Sequence, residues 1–354
     1  MKTSVKNVLR MVLLMLLAMG IGALIITLIG QNPLEAYYAL FKGAFGSKLS
    51  LGTTIAKFTP LLLTSVAFSI AFKGGAFNVG VEGEVFLGGL AAAYVGIYWD
   101  IPGPLHIILC FAAAMIVGAL WALIPAALKT NFGVSEVCVT ILMNYVALYI
   151  TSYAVSGPMS AGVANAQSLP VAENVRLLQF MKPSSANTGL FIAIIAALII
   201  IWMLSKTSFG YKIRNVGTNP EHAEFAGISP KETIMKTMMI SGAIGGAAGC
   251  IEILGVHGYF LNNFAANLGS NGMLAALIVK CNIPLVPFMA AFLAILQSGA
   301  LGMQQSTGVP KSIVDTITAV FIIIATMELL FSFTKKHKII KNPLWKSGKG
   351  DAKS

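Results

Sequence analysis

Apolar residues in this sequence gather into runs of about bilayer length, and short stretches between them hold most of the charge. Crossing a hydrocarbon core ~30 Å thick takes about 20 predominantly apolar residues in a helix. Runs of that kind fall at roughly 8–30, 52–72, 76–98, 104–128, 136–156, 188–204, 233–255, 284–303 and 312–333. A shorter one, 271–280, reads as half a helix or as one lengthened by the stretch before it. The pattern predicts an all-α fold, a polytopic transmembrane helical bundle of about ten spans. Between the first two runs, Tyr37, Tyr38, Phe41 and Phe45 recur at helical spacing beside Glu35, Lys42 and Lys48. That spacing predicts a short helix at the outer membrane interface, where aromatic rings prefer to sit.

Loops rich in Lys and Arg stay in the cytoplasm. Lys2, Lys6 and Arg10 precede the first run, and Lys335, Lys336, Lys338, Lys341, Lys346, Lys349 and Lys353 follow the last. Both termini are therefore expected to be cytoplasmic, which requires an even number of spans. Ten spans also put the basic loop 205–232 inside, with Lys206, Lys212, Arg214 and Lys231. The expected organisation is one transmembrane domain over 1–334 and a basic cytoplasmic tail over 335–354. The first run is too long for a signal-peptide core and lacks a clear cleavage site, so it reads as a retained span.

Composition narrows the function. Of 354 residues, 56% are hydrophobic and only 10% charged, against about a quarter charged in soluble domains. The net charge of +11 lies largely in the tail, which suits anionic headgroups better than nucleic acid. Cys110, Cys138, Cys250 and Cys281 are far apart, indicating neither a disulfide framework nor a zinc site. No Gly-x-x-x-x-Gly-Lys-Ser/Thr loop is present to cradle ATP, and no catalytic constellation or expected cofactor emerges. Nor does a chain of intramembrane charges suggest a proton-coupled carrier. The pattern suits a transport subunit driven from outside itself, not an enzyme.

The segment Ala76-Phe77-Asn78-Val79-Gly80-Val81-Glu82-Gly83-Glu84 interrupts an apolar region with two glycines, an amide and two carboxylates. One reading is a buried break in a helix, tolerated only against protein or a water-filled path. The other is a cytoplasmic turn with Asn78 capping a helix and Glu82 and Glu84 in its first turn. Glu252 follows a Gly/Ala-rich surface, 241–249, that suits close helix packing. It either lines a polar path or sits at the outer interface. Asn144, midway along its run, either bonds a polar substrate or joins two helices. Asn78, Glu82, Asn144 and Glu252 are the candidate pathway residues. Asp315 reads as a first-turn residue of the last span and Glu328 as an interface anchor.

Within 205–232, Asn219 suits a helix cap, Pro220 a first helical position and Gly227 a stop. The short helix between them is expected to expose Ala223, Phe225 and Ala226 beside Glu221 and Glu224. It is either a connecting turn or a docking element for a cytoplasmic partner, with Gly217 leading into it.

An ordered set of motifs across nearly the whole chain resembles a known family. The set runs Asn32-Pro33-Leu34-Glu35-Ala36-Tyr37, Gly43-Ala44-Phe45-Gly46-Ser47 and Thr59-Pro60-Leu61-Leu62-Leu63-Thr64. It continues with Phe77-Asn78-Val79-Gly80-Val81-Glu82-Gly83-Glu84, Phe132-Gly133-Val134-Ser135-Glu136-Val137 and Met143-Asn144-Tyr145. Val216-Gly217-Thr218-Asn219-Pro220, Ala226-Gly227-Ile228 and Gly255-Val256-His257-Gly258 complete it. These residues resemble permease subunits of bacterial ABC importers in the ribose/branched-chain amino-acid class, specifically the nucleoside branch with basic-membrane-protein-type receptors. The sequence departs from that pattern at Glu84, where the family commonly has Gln, and at Lys280-Cys281. The resemblance implies a permease of the bacterial cytoplasmic membrane that imports nucleosides. It also implies a partner ABC ATPase, a substrate-binding lipoprotein and a second permease, a homologue more readily than a copy. A simple sugar such as ribose is the alternative substrate, and an ATP-independent secondary carrier the alternative mechanism.

Overall fold

Helices dominate because runs of apolar residues in hydrocarbon must satisfy their backbone hydrogen bonds internally. The computed structural model describes residues 13, 16, 17 and 19–320. The outer parts of runs 8–30 and 312–333, Glu328 and the tail 335–354 lie outside the described residues. In chain order the helices are α1 (Met19–Leu28), α2 (Pro33–Phe45), α3 (Lys48–Lys73), α4 (Val81–Tyr98), α5 (Gly103–Phe132) and α6 (Glu136–Ser156). They continue with α7 (Gly189–Lys206), α8 (Ser208–Thr218), α9 (Pro220–Phe225), α10 (Pro230–Ile251), α11 (Leu268–Ile278), α12 (Val286–Thr307) and α13 (311–320). A π-helical turn, Glu252–His257, prolongs α10 and ends at Gly258, φ 77°.

Among the described residues, seven helices are long and apolar enough to cross a membrane: α3, α4, α5, α6, α7, α10 with its π turn, and the segment Ile283–Thr307. The expected run 76–98 is corrected, since its helix begins only at Val81. Gly74 ends α3, Gly75 turns back at φ 84°, and 76–78 are non-helical. Eleven residues make α11 too short to cross alone, as its run suggested. Asn219 caps α9 as expected, accepting from His222 N; Asn32 likewise accepts from Leu34 N and Ser47 from Ser50 N.

Helices α3, α4 and α10 form the enclosed centre. By contrast α5, α6 and α7 leave apolar rows exposed, such as Ile116, Leu120 and Ile124, or Tyr145, Tyr149 and Tyr153. Small residues set the central packing. A Cβ on Gly242 would run into the Gly118 carbonyl of α5, and one on Gly246 into the Ala114 carbonyl. A Cβ on Gly88 of α4 would strike Gly246 from the other side. Three helices therefore meet backbone to backbone, as expected where small residues replace bulk at membrane interfaces. The expected short helix forms as α2 and packs against α12 at Gly43 and Gly302, burying Ala36, Leu40 and Ala44, while Tyr38, Phe41 and Phe45 stay exposed.

At the end of the bundle reached by α10's π turn, β1 (Gln167–Pro170) pairs antiparallel with β2 (Tyr259–Leu261). Phe260 N donates to Ser168 Oγ at 2.9 Å. This ties the long connection between α6 and α7 to the one between α10 and α11.

Candidate functional site

The break between α3 and α4 is a buried structural knot. Asn78 is fully buried, and its Nδ2 donates to Glu84 Oε1 at 2.7 Å and to Ser241 Oγ at 2.9 Å. Its Oδ1 accepts from Gly80 N at 3.0 Å, closing a local turn. Ser241 in turn donates to the Ala67 carbonyl of α3 at 2.7 Å. One amide therefore links α3, α4 and α10, satisfying groups that hydrocarbon could not. Asn78 does not cap α4; Gly80 occupies that position.

Asn144 of α6 completes the first turn of α4. Its Oδ1 accepts from Gly83 N at 2.8 Å and its Nδ2 donates to the Val79 carbonyl at 2.9 Å. Val79 and Gly83 are i and i+4, so the side-chain amide is inserted into the hydrogen bond that would otherwise join them. These two bonds join α6 to the start of α4. Asn144→Leu removes both bonds at similar volume and is expected to cost about 1–3 kcal/mol. A lowered melting temperature in detergent is the readout, and an unchanged one would reject the joint.

Glu82 belongs to a different junction. Its carboxylate accepts from Asn267 N at 3.1 Å and Ser270 Oγ at 3.2 Å, at the start of α11. There it complements the positive end of that helix. Glu252 stands apart from these three, on the π turn, with Oε2 3.5 Å from His257 Nε2. Asn78 and Asn144 thus meet at the break, Glu82 reaches from α4 to α11, and Glu252 lies beyond the glycine surface of α10.

Sequence reading missed several residues here. Glu136 receives Phe77 N at 3.2 Å and pairs with Lys129, whose Nζ also donates to the Gly75 carbonyl at 2.7 Å. That ion pair pins the break to the α5–α6 turn. Lys57, inside the run 52–72, lies half-buried on α3, within electrostatic reach of Glu252. A charge inside an apolar run was the available signal.

The loop 205–232 folds into α8, α9 and the start of α10. Phe225 is 91% exposed. With Glu221 and Glu224 it lines a surface concavity of ≈ 460 Å³. Ala223 corrects the expectation, because it is buried in an apolar cluster with Ala71, Ala76, Val216 and Met238. Phe225 and Ala226 stay outside as expected. Gly227 adopts φ 76°, as its expected role as a stop requires. A Cβ on Gly217 would run into the Lys73 carbonyl, so the end of α8 rests on the backbone where α3 stops. The exposed aromatic is thereby two short elements away from the buried knot.

Comparison with known proteins agrees with this architecture. A family model described as "Branched-chain amino acid transport system / permease component" matches residues 50–327. The chain is 35% identical over 322 residues to "Guanosine ABC transporter permease protein NupP" of Bacillus subtilis (strain 168), covering 90% of this chain and 92% of the relative. It is 33% identical over 334 residues to "Nucleoside ABC transporter permease protein NupB" of Lactococcus lactis subsp. cremoris (strain MG1363), covering 91% of each. It is 29% identical over 345 residues to "Glucose ABC transporter permease protein TsgB13" of Haloferax volcanii, covering 93% and 88%. A match spanning the glycine-packed centre, the break and the α8–α9 loop shows that the chain belongs to the permease family of branched-chain amino acid transport systems, as a multi-pass transport component of the cytoplasmic membrane and not an enzyme.

Proposed function

We propose that this chain is the membrane-spanning subunit of an ATP-driven importer of nucleosides. The observation that carries the reading is identity of 35% and 33%, over nine-tenths of the chain, to permeases named for guanosine and for nucleosides. A partner ATPase supplies the energy, since an ABC permease does not hydrolyse ATP itself. A substrate-binding lipoprotein delivers the nucleoside, and a second permease, a homologue of this chain, completes the membrane channel.

Ten spans with both termini cytoplasmic fit the charge pattern: seven long helices, two terminal runs and the short α11 supply them. The cytoplasmic loop 205–232 then docks the ATPase through Gly217, Asn219, Pro220, Glu221, Ala223, Phe225 and Gly227. Phe225 is the anchor, and Ala223 seats α9 on the permease. Motion of α9 reaches the substrate path through α8, because Gly217 rests on the end of α3. Glu82 and Glu252 are the pathway carboxylates; Asn78 and Asn144 serve that path by holding its walls.

Uptake of labelled guanosine and glucose, in cells relying on this chain with its ATPase and receptor, tests the reading. Guanosine uptake that depends on ATP is expected. Glucose uptake alone would favour the sugar reading, for which the 29% relative speaks. Transport by the purified chain without an ATPase would reject both.

A further inference from the structure

His257 lies five positions after Glu252, a spacing that points side chains apart on an α-helix. The π turn holds more residues per turn and rotates the two onto one face, leaving them 3.5 Å apart. Their side chains retain 13% and 26% exposure, so the pair borders accessible space. Lys57 approaches from α3 within electrostatic reach of Glu252 and also of Lys311. It makes no hydrogen bond or ion pair among the described residues, which leaves its donors available.

Aromatic rings close the other side. The Phe264 ring lies 6.0 Å from that of His257, and Tyr259 lies 6.4 Å from it. Phe86 of α4 backs Phe264 edge-on at 5.6 Å. A Cβ on Gly89 would stand 2.9 Å from Phe264 Cζ, so that glycine makes the room the ring fills.

We propose that Lys57, Glu252 and His257 form the polar end of a nucleobase subsite whose apolar wall is Phe264 and Tyr259, fitted to a guanine-type edge. The assignment rests on the nucleoside-import reading. A carboxylate offers two acceptor oxygens and an ammonium offers donors. Guanine presents two adjacent N–H donors, on N1 and the exocyclic amine, followed by a carbonyl acceptor. The carboxylate takes the donors, Lys57 takes the carbonyl, and the flat base lies against the aromatic rings. Adenine turns an unprotonated ring nitrogen towards the same carboxylate and gains fewer bonds. His257 braces the carboxylate from the side.

The test measures uptake of labelled guanosine and adenosine by the assembled transporter, each nucleoside at a concentration that saturates the receptor, so the receptor's own preference drops out. In Glu252→Gln, guanosine uptake is expected to fall at least about tenfold and adenosine uptake less than about threefold, because a charge-assisted bond is lost for one base only. Phe264→Leu is expected to slow both. Equal losses for both nucleosides in Glu252→Gln, at wild-type membrane level, would overturn the subsite and leave import intact. Adenosine entering as fast as guanosine in the wild type would do the same, whatever the variant's folding. No uptake of either by the wild-type assembly would instead end the import reading, and the subsite with it.

Discussion

Gly246→Val is expected to remove most of this protein from the membrane. A Cβ on Gly246 would run into the Ala114 carbonyl of α5, while Gly88 of α4 lies close against Gly246 from the other side, so α10 cannot back away from an added isopropyl group. Flexible side chains can swing away from an intruding methyl; helix backbones can only separate. Overpacking typically costs about 1–3 kcal/mol, and a site clamped between two backbones belongs at or above the upper end. Displacing α10 would also strain the Asn78 bonds to Glu84 and Ser241. Severalfold lower membrane levels and a lower melting temperature in detergent are the expected readouts. Gly103→Ala is the matched control, because the nearest atom to its added Cβ, the Asn174 carbonyl oxygen, stands 4.0 Å away. Equal behaviour of the two variants would dismiss the three-helix contact.

Phe225→Asp is expected to separate the ATPase from the permease while leaving the permease folded. The ring is 91% exposed on a six-residue helix and contributes little to the fold. An aromatic anchor at an interface carries about 2–4 kcal/mol, or roughly 30- to 700-fold in affinity. Aspartate beside Glu221 and Glu224 adds a third negative charge to the same concavity. The permease should reach the membrane at wild-type level, fail to retain the ATPase on purification, and lose nucleoside uptake. Retained complex and uptake would remove Phe225 from the docking surface. By contrast, Ala223→Asp should impair folding, because Ala223 is 2% exposed within an apolar cluster. The two substitutions, two residues apart, separate docking from packing.

Much of the architecture could be read along the chain. The run 136–156 coincides with α6, the glycine surface 241–249 lies at the central contact, and Asn219, Pro220 and Gly227 occupy their expected places around α9. The candidate site was less legible. Lys57 was hidden because one charge barely disturbs a long apolar run. Glu252 and His257 could not be paired because the π turn, a tertiary accommodation, alters the periodicity on which such pairing depends. Asn144 was noticed, yet its partners, Val79 and Gly83, are more than sixty positions away.

Hydrophobic length alone determined that this chain is a helical membrane bundle, since a run that must satisfy its backbone in hydrocarbon has few other shapes. The spacing of small residues also determined that α10 would be closely packed. Which face of each helix turns inward was decided only by the tertiary structure. A span apolar all round meets lipid and protein with similar favour, so periodicity does not mark its buried side. Ala223 and Asn78 lie outside the spans, in α9 and in the break before α4, and contacts distant in sequence turned both inward. Glu252 met His257 on its own π turn and Lys57 from α3.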